Sequence, residues 1–188
     1  MSTVNAGDIL TPRELAGIDG RPVGVPDPRR IVHLQFRRYA GCPICNLHLR
    51  SVSLRHDEIL DAGIREVAVF HSSAETMRKY QAELPFPAVA DPDRALYAEF
   101  GVEASPRAVL DPRGWAAAVR GAARQRGLRG AIGDGESHLG LPADFLIGPD
   151  GTVLAAKYGT HADDQWSVDE LLEIAAARRN GIGRREHE

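Results

Sequence analysis

Cysteine is scarce in this chain, with two residues among 188. That excludes a disulfide framework and a zinc site made of four cysteines. No His-x₃₋₅-His pair stands near the cysteines to complete a mixed site, so no metal is expected. Long apolar runs are absent too. The longest fall far short of the roughly 20 residues that a membrane-spanning helix needs, so no membrane partner is expected. Charge of one sign is not in excess: 23 Lys and Arg face 26 Asp and Glu. A net charge of −3 argues against nucleic acid as the main partner. The first eight residues hold neither a basic start nor an apolar stretch, so no signal peptide is visible and a cytoplasmic location is expected. No internal repeat or long linker divides the chain. One domain over residues 1–188 is expected, and a hydrophobic content of 43% is enough to give it a core.

The two cysteines are placed together, in Phe36-Arg37-Arg38-Tyr39-Ala40-Gly41-Cys42-Pro43-Ile44-Cys45. A β-branched run, Ile31-Val32-His33-Leu34, leads in, and a helical pattern from Pro43 to about Leu60 leads out. A helix start has unpartnered N–H groups and a partial positive charge. A thiolate there is stabilised, with pKa values of roughly 3.5–7.5 in such settings. Pro43 suits the first helical position. Cys45 lies about one turn on, where its sulfur can reach the first. Cys42 therefore reads as the attacking thiol and Cys45 as the resolving one. The bland alternatives are an inert disulfide, half of a zinc site, or two buried hydrophobes. A CxxC after a strand and opening a helix favours the redox reading.

Along the chain, Thr11 and Glu14 have capping-box spacing and predict a short helical turn. Asp19-Gly20 predicts a turn between strands at 16–18 and 22–25. Residues 30–36 predict the first central strand. The helix from Pro43 carries Cys45, Leu49, Val52 and Ile59 on one stripe and Leu47 and Leu54 on another, which predicts burial on two faces. His48 and His56 on this helix read as solvent-facing or ring-packed. A strand at 65–70, a helix capped by Ser72 and running to about Glu83, a short strand at 88–90 and a helix from Arg94 to Phe100 follow. Residues 105–135 carry six arginines, with five glycines between 121 and 135, and read as a surface insertion, or as a lid or docking face for an acidic partner. Strands at 141–147 and 152–158 flank a turn at 148–151. Ser167 with Glu170 caps a last helix to Arg179, and residues 184–188 read as a mobile tail. Trp115 and Trp166 read as packing residues.

This order predicts an α/β fold of thioredoxin-like plan, a mixed central sheet with helices on both faces and the CxxC at the carboxyl end of the first central strand. The sequence resembles the peroxiredoxin-like branch of the thioredoxin superfamily, the group related to alkyl hydroperoxide reductase and thiol-specific antioxidant proteins. The matching pieces are the Phe36–Cys45 stretch, Phe86-Pro87 with Asp91-Pro92-Asp93-Arg94-Ala95-Leu96-Tyr97 and Phe100-Gly101-Val102, and Phe145-Leu146-Ile147-Gly148-Pro149-Asp150-Gly151. The resemblance implies thiol chemistry at Cys42, a thioredoxin-like or small thiol reductant, a peroxide or disulfide substrate, and no cofactor. A second copy of the chain, as a homodimer, is also compatible with it.

The sequence departs from that family at three places. The Thr or Ser three residues before the peroxidatic Cys is Tyr39, and the Pro seven residues before it is Gln35. The late-strand Arg that stabilises the thiolate falls at Pro142, where thioredoxins hold a cis-proline. Arg37 or Arg38 is then the candidate donor to a peroxide O–O bond. A cis Pro142 would leave the backbone of Leu141 free to pair with a substrate strand. A thiol–disulfide oxidoreductase is thus the first expectation and a thiol peroxidase the second. A non-catalytic redox-sensing or binding module is the third, with the arginine-rich insertion as its working surface. A cysteine hydrolase using His71, His138 or His161 lacks any supporting signature around the Cys.

Overall fold

The computed structural model describes residues 3–102 and 140–185, so the insertion, Trp115 and His138 lie outside the described residues. Strand β3 (Ile31–Arg37) is buried along its whole length and forms the centre of a five-stranded sheet. It runs parallel to β4 (Ile64–Phe70) and antiparallel to β6 (Ala143–Ile147). Strand β5 (Ala88–Ala90) closes one edge beside β4, and β7 (Val153–Tyr158) closes the other beside β6. The parallel β3–β4 pair needs a crossover, which α1 (Pro43–Leu54) and α2 (His56–Asp61) provide. Helix α3 (Ala74–Gln81) leads to β5, α4 (Ala95–Glu99) follows it, and α5 (Val168–Arg185) ends the described chain. The mixed sheet with helices on both faces is the expected α/β plan.

Several local expectations are corrected. The Thr11 segment forms no helical turn. Residues 13–16 make strand β1 (Arg13–Ala16), paired with β2 (Pro22–Val25) in the register Leu15↔Val23. Period-two alternation of half-buried and exposed residues there prevails over the local capping signal. The hairpin is then stitched to the sheet edge by Ile18 N–H donating to the Ala88 carbonyl at 2.9 Å. The helix expected from Pro43 to Leu60 breaks at Arg55, whose backbone leaves the helical region (φ −114°, ψ 20°). Ser53 Oγ donates back to the Leu49 carbonyl at 2.8 Å, a bond that bends helices. Arg55 itself reaches Glu58 at 2.7 Å and Asp169 at 2.6 Å. Leu54 is exposed, so α1 buries one face and not two. The cap of α3 is Ser73, not Ser72. The Ser167–Glu170 capping box forms as expected, but α5 continues past Arg179 to Arg185.

The two faces of the sheet differ in chemistry. On one, Val32, Leu34 and Phe36 join Val67, Val69, Phe145 and Ile147 under α4 and the hairpin. Phe36 touches the rings of Tyr97, Phe100 and Phe145 at centroid distances of 5.0, 5.1 and 5.7 Å. The other face lies under α1 and α5. Its rim is apolar, with Ile31, Ile64, Phe70 and Leu146, but its middle is charged. There His33 bridges Glu66 (2.8 Å) and Asp144 (3.1 Å), and Arg37 pairs with Asp144 (2.7 Å), all fully buried. Gln35 Nε2 donates to Glu66, and Arg37 Nε donates to Gln35 Oε1 at 3.0 Å. Burial alone would push the His33 imidazole down, but the two carboxylates prevail and raise it to about 9. Burial likewise opposes ionisation of Asp144, yet Arg37 and His33 hold its carboxyl well below the usual range.

Two predictions follow from these faces. Phe36→Ala removes a ring at the centre of the aromatic cluster and should lower unfolding free energy by about 3–5 kcal/mol in denaturant titrations. The His33 contribution is complete below its unfolded value of 6.5 and is lost as pH rises through about 9. The Asp144 contribution is complete above its unfolded value of 3.8 and is lost in strong acid. Stability measured with both cysteines changed to serine, so that thiol ionisation does not enter, should therefore fall by roughly 3 kcal/mol between pH 6.5 and 9. A flat profile across that window would contradict a buried, charged His33.

Candidate active site

The chain leaves β3 at Arg37, turns through Arg38–Gly41 and enters α1 at Cys42. Cys42 is the N-cap, extended at φ −61° and ψ 116°, with Pro43 in the first turn. Its N–H donates to the Tyr39 carbonyl at 3.0 Å, which closes the turn. Its sulfur accepts the Cys45 N–H at 3.4 Å. This is the helix-start geometry that the sequence predicts, with the sulfur taking the place of a serine or aspartate cap.

Three further contacts hold the turn. Ala40 N–H donates to Ser72 Oγ at 2.8 Å. The Ala40 carbonyl accepts from Gln81 Nε2 at 2.9 Å and from Asn46 Nδ2 at 3.2 Å. Ser72 thus serves the site loop, which is why the cap of α3 passes to its neighbour.

The charge at the sulfur comes from Arg38, whose Nη1 lies 3.8 Å from Cys42 Sγ. The Tyr39 ring backs that guanidinium, 5.6 Å from carbon to centroid. Burial by itself would push the Cys42 thiol up. A hydrogen bond from the Cys45 thiol, the Arg38 charge, and the Cys45 and Ile44 backbone N–H groups together bring it down to about 7. Cys45 moves the other way: burial, its bond to Cys42 and the negative charge there raise it well above an ordinary thiol. One sulfur is thus set up as thiolate and the other as thiol. Both are free and both are fully buried.

Arg37 does not supply the donor at the sulfur. Its guanidinium bonds to Gln35, Asp144 and His48 beneath α1. Tyr39 acts through its ring and carbonyl on Arg38 and the turn. The Leu141–Pro142 bond is trans; the one cis peptide among the described residues is Val25–Pro26. Pro142 therefore does not hold the cis-proline place expected from the sequence. Pro142 is buried, and its carbonyl accepts the Gly159 N–H at 2.9 Å.

His56 is ring-packed on Phe86 at 5.6 Å, as expected. His48 is neither solvent-facing nor ring-packed, because its Nε2 accepts from Arg37 Nη2 at 3.1 Å. His161 sits in the loop after β7, where its Nδ1 accepts the Asp163 N–H at 3.3 Å. Trp166 is buried, as a packing residue should be, and its ring lies 5.9 Å from that of His33. Sequence reasoning missed His71 in this setting. It follows β4, touches the Tyr97 ring edge-on at 5.7 Å and faces Gly140. A Cβ on residue 140 would stand 2.9 Å from His71 Nε2 and 3.8 Å from Arg38 Cγ, so glycine leaves room for both. Position was the available signal, since His71 ends a strand on the edge where open α/β sheets place their sites.

Among the described residues, no group of His, Cys, Asp and Glu is arranged to hold a metal ion. The chemistry present is that of a dithiol: an acidic sulfur, a cation beside it and a second sulfur in contact.

Residues 6–156 match the model of the AhpC/TSA family. No curated protein matches the chain. Among solved structures, peroxidoxin BcpB from Mycobacterium tuberculosis superposes with a TM-score of 0.64 at 19% identity, over 94% of this chain and 97% of that one. AhpC of Mycobacterium bovis gives 0.66 at 17% identity, over 95% and 94%. A protein assigned as thiol:disulfide interchange protein DsbE, from Chlorobium tepidum, gives 0.59 at 19% identity, over 94% and 99%. At such identities these structures speak for the thioredoxin-like fold alone, while the family match spans most of the chain. The chain belongs to the AhpC/TSA family and is a thiol-dependent oxidoreductase.

Proposed function

We propose that Cys42 is the attacking thiolate and Cys45 the resolving thiol of a dithiol–disulfide cycle, and that the oxidant is a hydroperoxide. The contact between Arg38 and the buried Cys42 sulfur carries this reading. In the first step the thiolate attacks one peroxide oxygen and the O–O bond breaks. The sulfur becomes a sulfenic acid, and the leaving alkoxide or hydroxide takes up a proton. Arg38 faces the place where that negative charge develops. In the second step the Cys45 sulfur bonds to Cys42, its thiol proton leaves with the sulfenic hydroxyl as water, and a disulfide remains. Two electrons and two protons from a thioredoxin-like or small thiol reductant restore the dithiol.

Disulfide exchange, the first expectation from the sequence, remains the second reading, and the CxxC spacing favours it. Two observations move it to second place. A trans Pro142 removes the proposed docking backbone, and sulfurs closed off from water suit a small oxidant better than a protein disulfide. A reducing compartment such as the cytoplasm suits a resting dithiol. Among the described residues no helix is long and apolar enough to cross a membrane.

Stopped-flow mixing of reduced protein with hydrogen peroxide tests the proposal. Both thiols should disappear with a rate that rises with pH, is half-maximal near 7 and is flat above it. Cys42→Ser should abolish the reaction. Cys45→Ser should stop at a sulfenic acid that a dimedone-type reagent traps. Slow reaction with peroxide beside fast exchange with a model disulfide would transfer the assignment to the second reading. Arg38→Met should raise the Cys42 midpoint toward that of a free thiol, roughly 8.5, and slow its oxidation at neutral pH about 10-fold or more.

A further inference from the structure

The redox steps above make no use of the charged cluster buried under α1. Stability alone does not explain it, because apolar residues of similar shape generally stabilise a core as well as a buried ion pair does, or better. Its location offers a reason. Arg37 is the last residue of β3 and the immediate neighbour of Arg38. Its guanidinium donates to Gln35 on β3 (3.0 Å), Asp144 on β6 (2.7 Å) and His48 on α1 (3.1 Å). Its carbonyl accepts the hydroxyl of Tyr97 on α4. One residue therefore ties the end of the central strand to the sheet, to α4 and to the helix that carries both cysteines.

Asp144 is fixed in turn. Its Oδ1 also faces His33 Nε2 at 3.1 Å, and its Oδ2 accepts the Trp166 N–H at 3.1 Å. His48 follows Cys45 by three residues, so the two lie on neighbouring positions of one helix face. Because Nε2 of His48 accepts from Arg37, the imidazole is neutral and carries its proton on Nδ1. Burial first, and then the Arg37 charge, push its pKa well down. To take up a proton at Nε2 it would have to give up the bond to Arg37. His48 is therefore suited to latch α1 and not to act as a base.

We propose that Arg37, fixed by Asp144 and bonded to His48, is a positioning residue that sets how α1 meets the end of β3 and so keeps Arg38 at the Cys42 sulfur. The proposal rests on Cys42 being the reactive thiolate. It assigns a role to three residues of the cluster that lie outside the CxxC itself.

The test is the pH dependence of iodoacetamide alkylation of Cys42 in the full-length reduced protein. His48→Leu is the cleanest variant, since it exchanges a neutral side chain for a neutral one of similar size. Loss of the latch should move the Cys42 midpoint upward by about a unit and slow alkylation at pH 7 several-fold. Arg37→Met and Asp144→Asn should both move it the same way. A field effect without positioning predicts opposite signs: upward when the cation is lost, downward when the carboxylate is lost. Opposite signs would overturn the proposal.

If either single variant fails to fold for want of its partner, Arg37→Met combined with Asp144→Leu leaves neither of the two charges unpaired. A folded double variant that titrates like the wild type would also overturn the proposal. So would an unmoved midpoint in His48→Leu alongside an acidic wild-type thiol, and that result would leave the reading of Cys42 intact. An ordinary wild-type midpoint, by contrast, would overturn both.

Discussion

A thiolate out of contact with water must draw its stabilisation from donors that the protein has already aimed at it. Here the donors are the opening N–H groups of α1, the thiol of Cys45 and the guanidinium of Arg38, all between residues 38 and 45. Burial works against the charge, and these donors together offset it. The arrangement of the rest of the fold around residues 37–42 follows from that constraint. Ser72, Gln81 and Asn46 hold the turn, Tyr97 holds the end of β3, and Gly140 leaves space beside Arg38.

The same constraint distributes work between the two faces of the sheet. The face under α4 is a continuous aromatic and aliphatic core and contributes stability. The face under α1 carries its charges at its centre, where Arg37 and His33 balance Glu66 and Asp144. Arg37 ends β3 and is held inside the sheet–helix layer, whereas Arg38 already belongs to the turn and meets the sulfur, so two neighbours of the same type do different jobs.

Most of the architecture was legible in the sequence because its signals were local. The β-branched run into a CxxC, the proline at the first helical position and the Ser167–Glu170 box each place an element without knowledge of the rest. The helix-start position of Cys42 was legible for the same reason. What failed depended on contacts distant in sequence. The Thr11 capping signal gave way to pairing with a strand ten residues on. At the break, Arg55 reaches across to Asp169, and Ser72 is taken up by Ala40 while Ser73 caps α3. The charged cluster was half visible. His33, Gln35 and Arg37 alternate with apolar residues in a strand that both faces of the fold should cover. Such a pattern requires partners inside the protein, but Glu66, Asp144 and His48 could be found only in three dimensions.

The contact between the two sulfurs has a chemical corollary for durability. A sulfenic acid that lingers in the presence of excess oxidant proceeds to sulfinic and sulfonic forms, which thiols do not reverse. In this fold the neighbouring thiol already touches the atom that would be oxidised, and bulk solvent does not. In the proposed cycle the intermediate would form beside the group that consumes it, so the placement that brings the two sulfurs together would also limit irreversible oxidation.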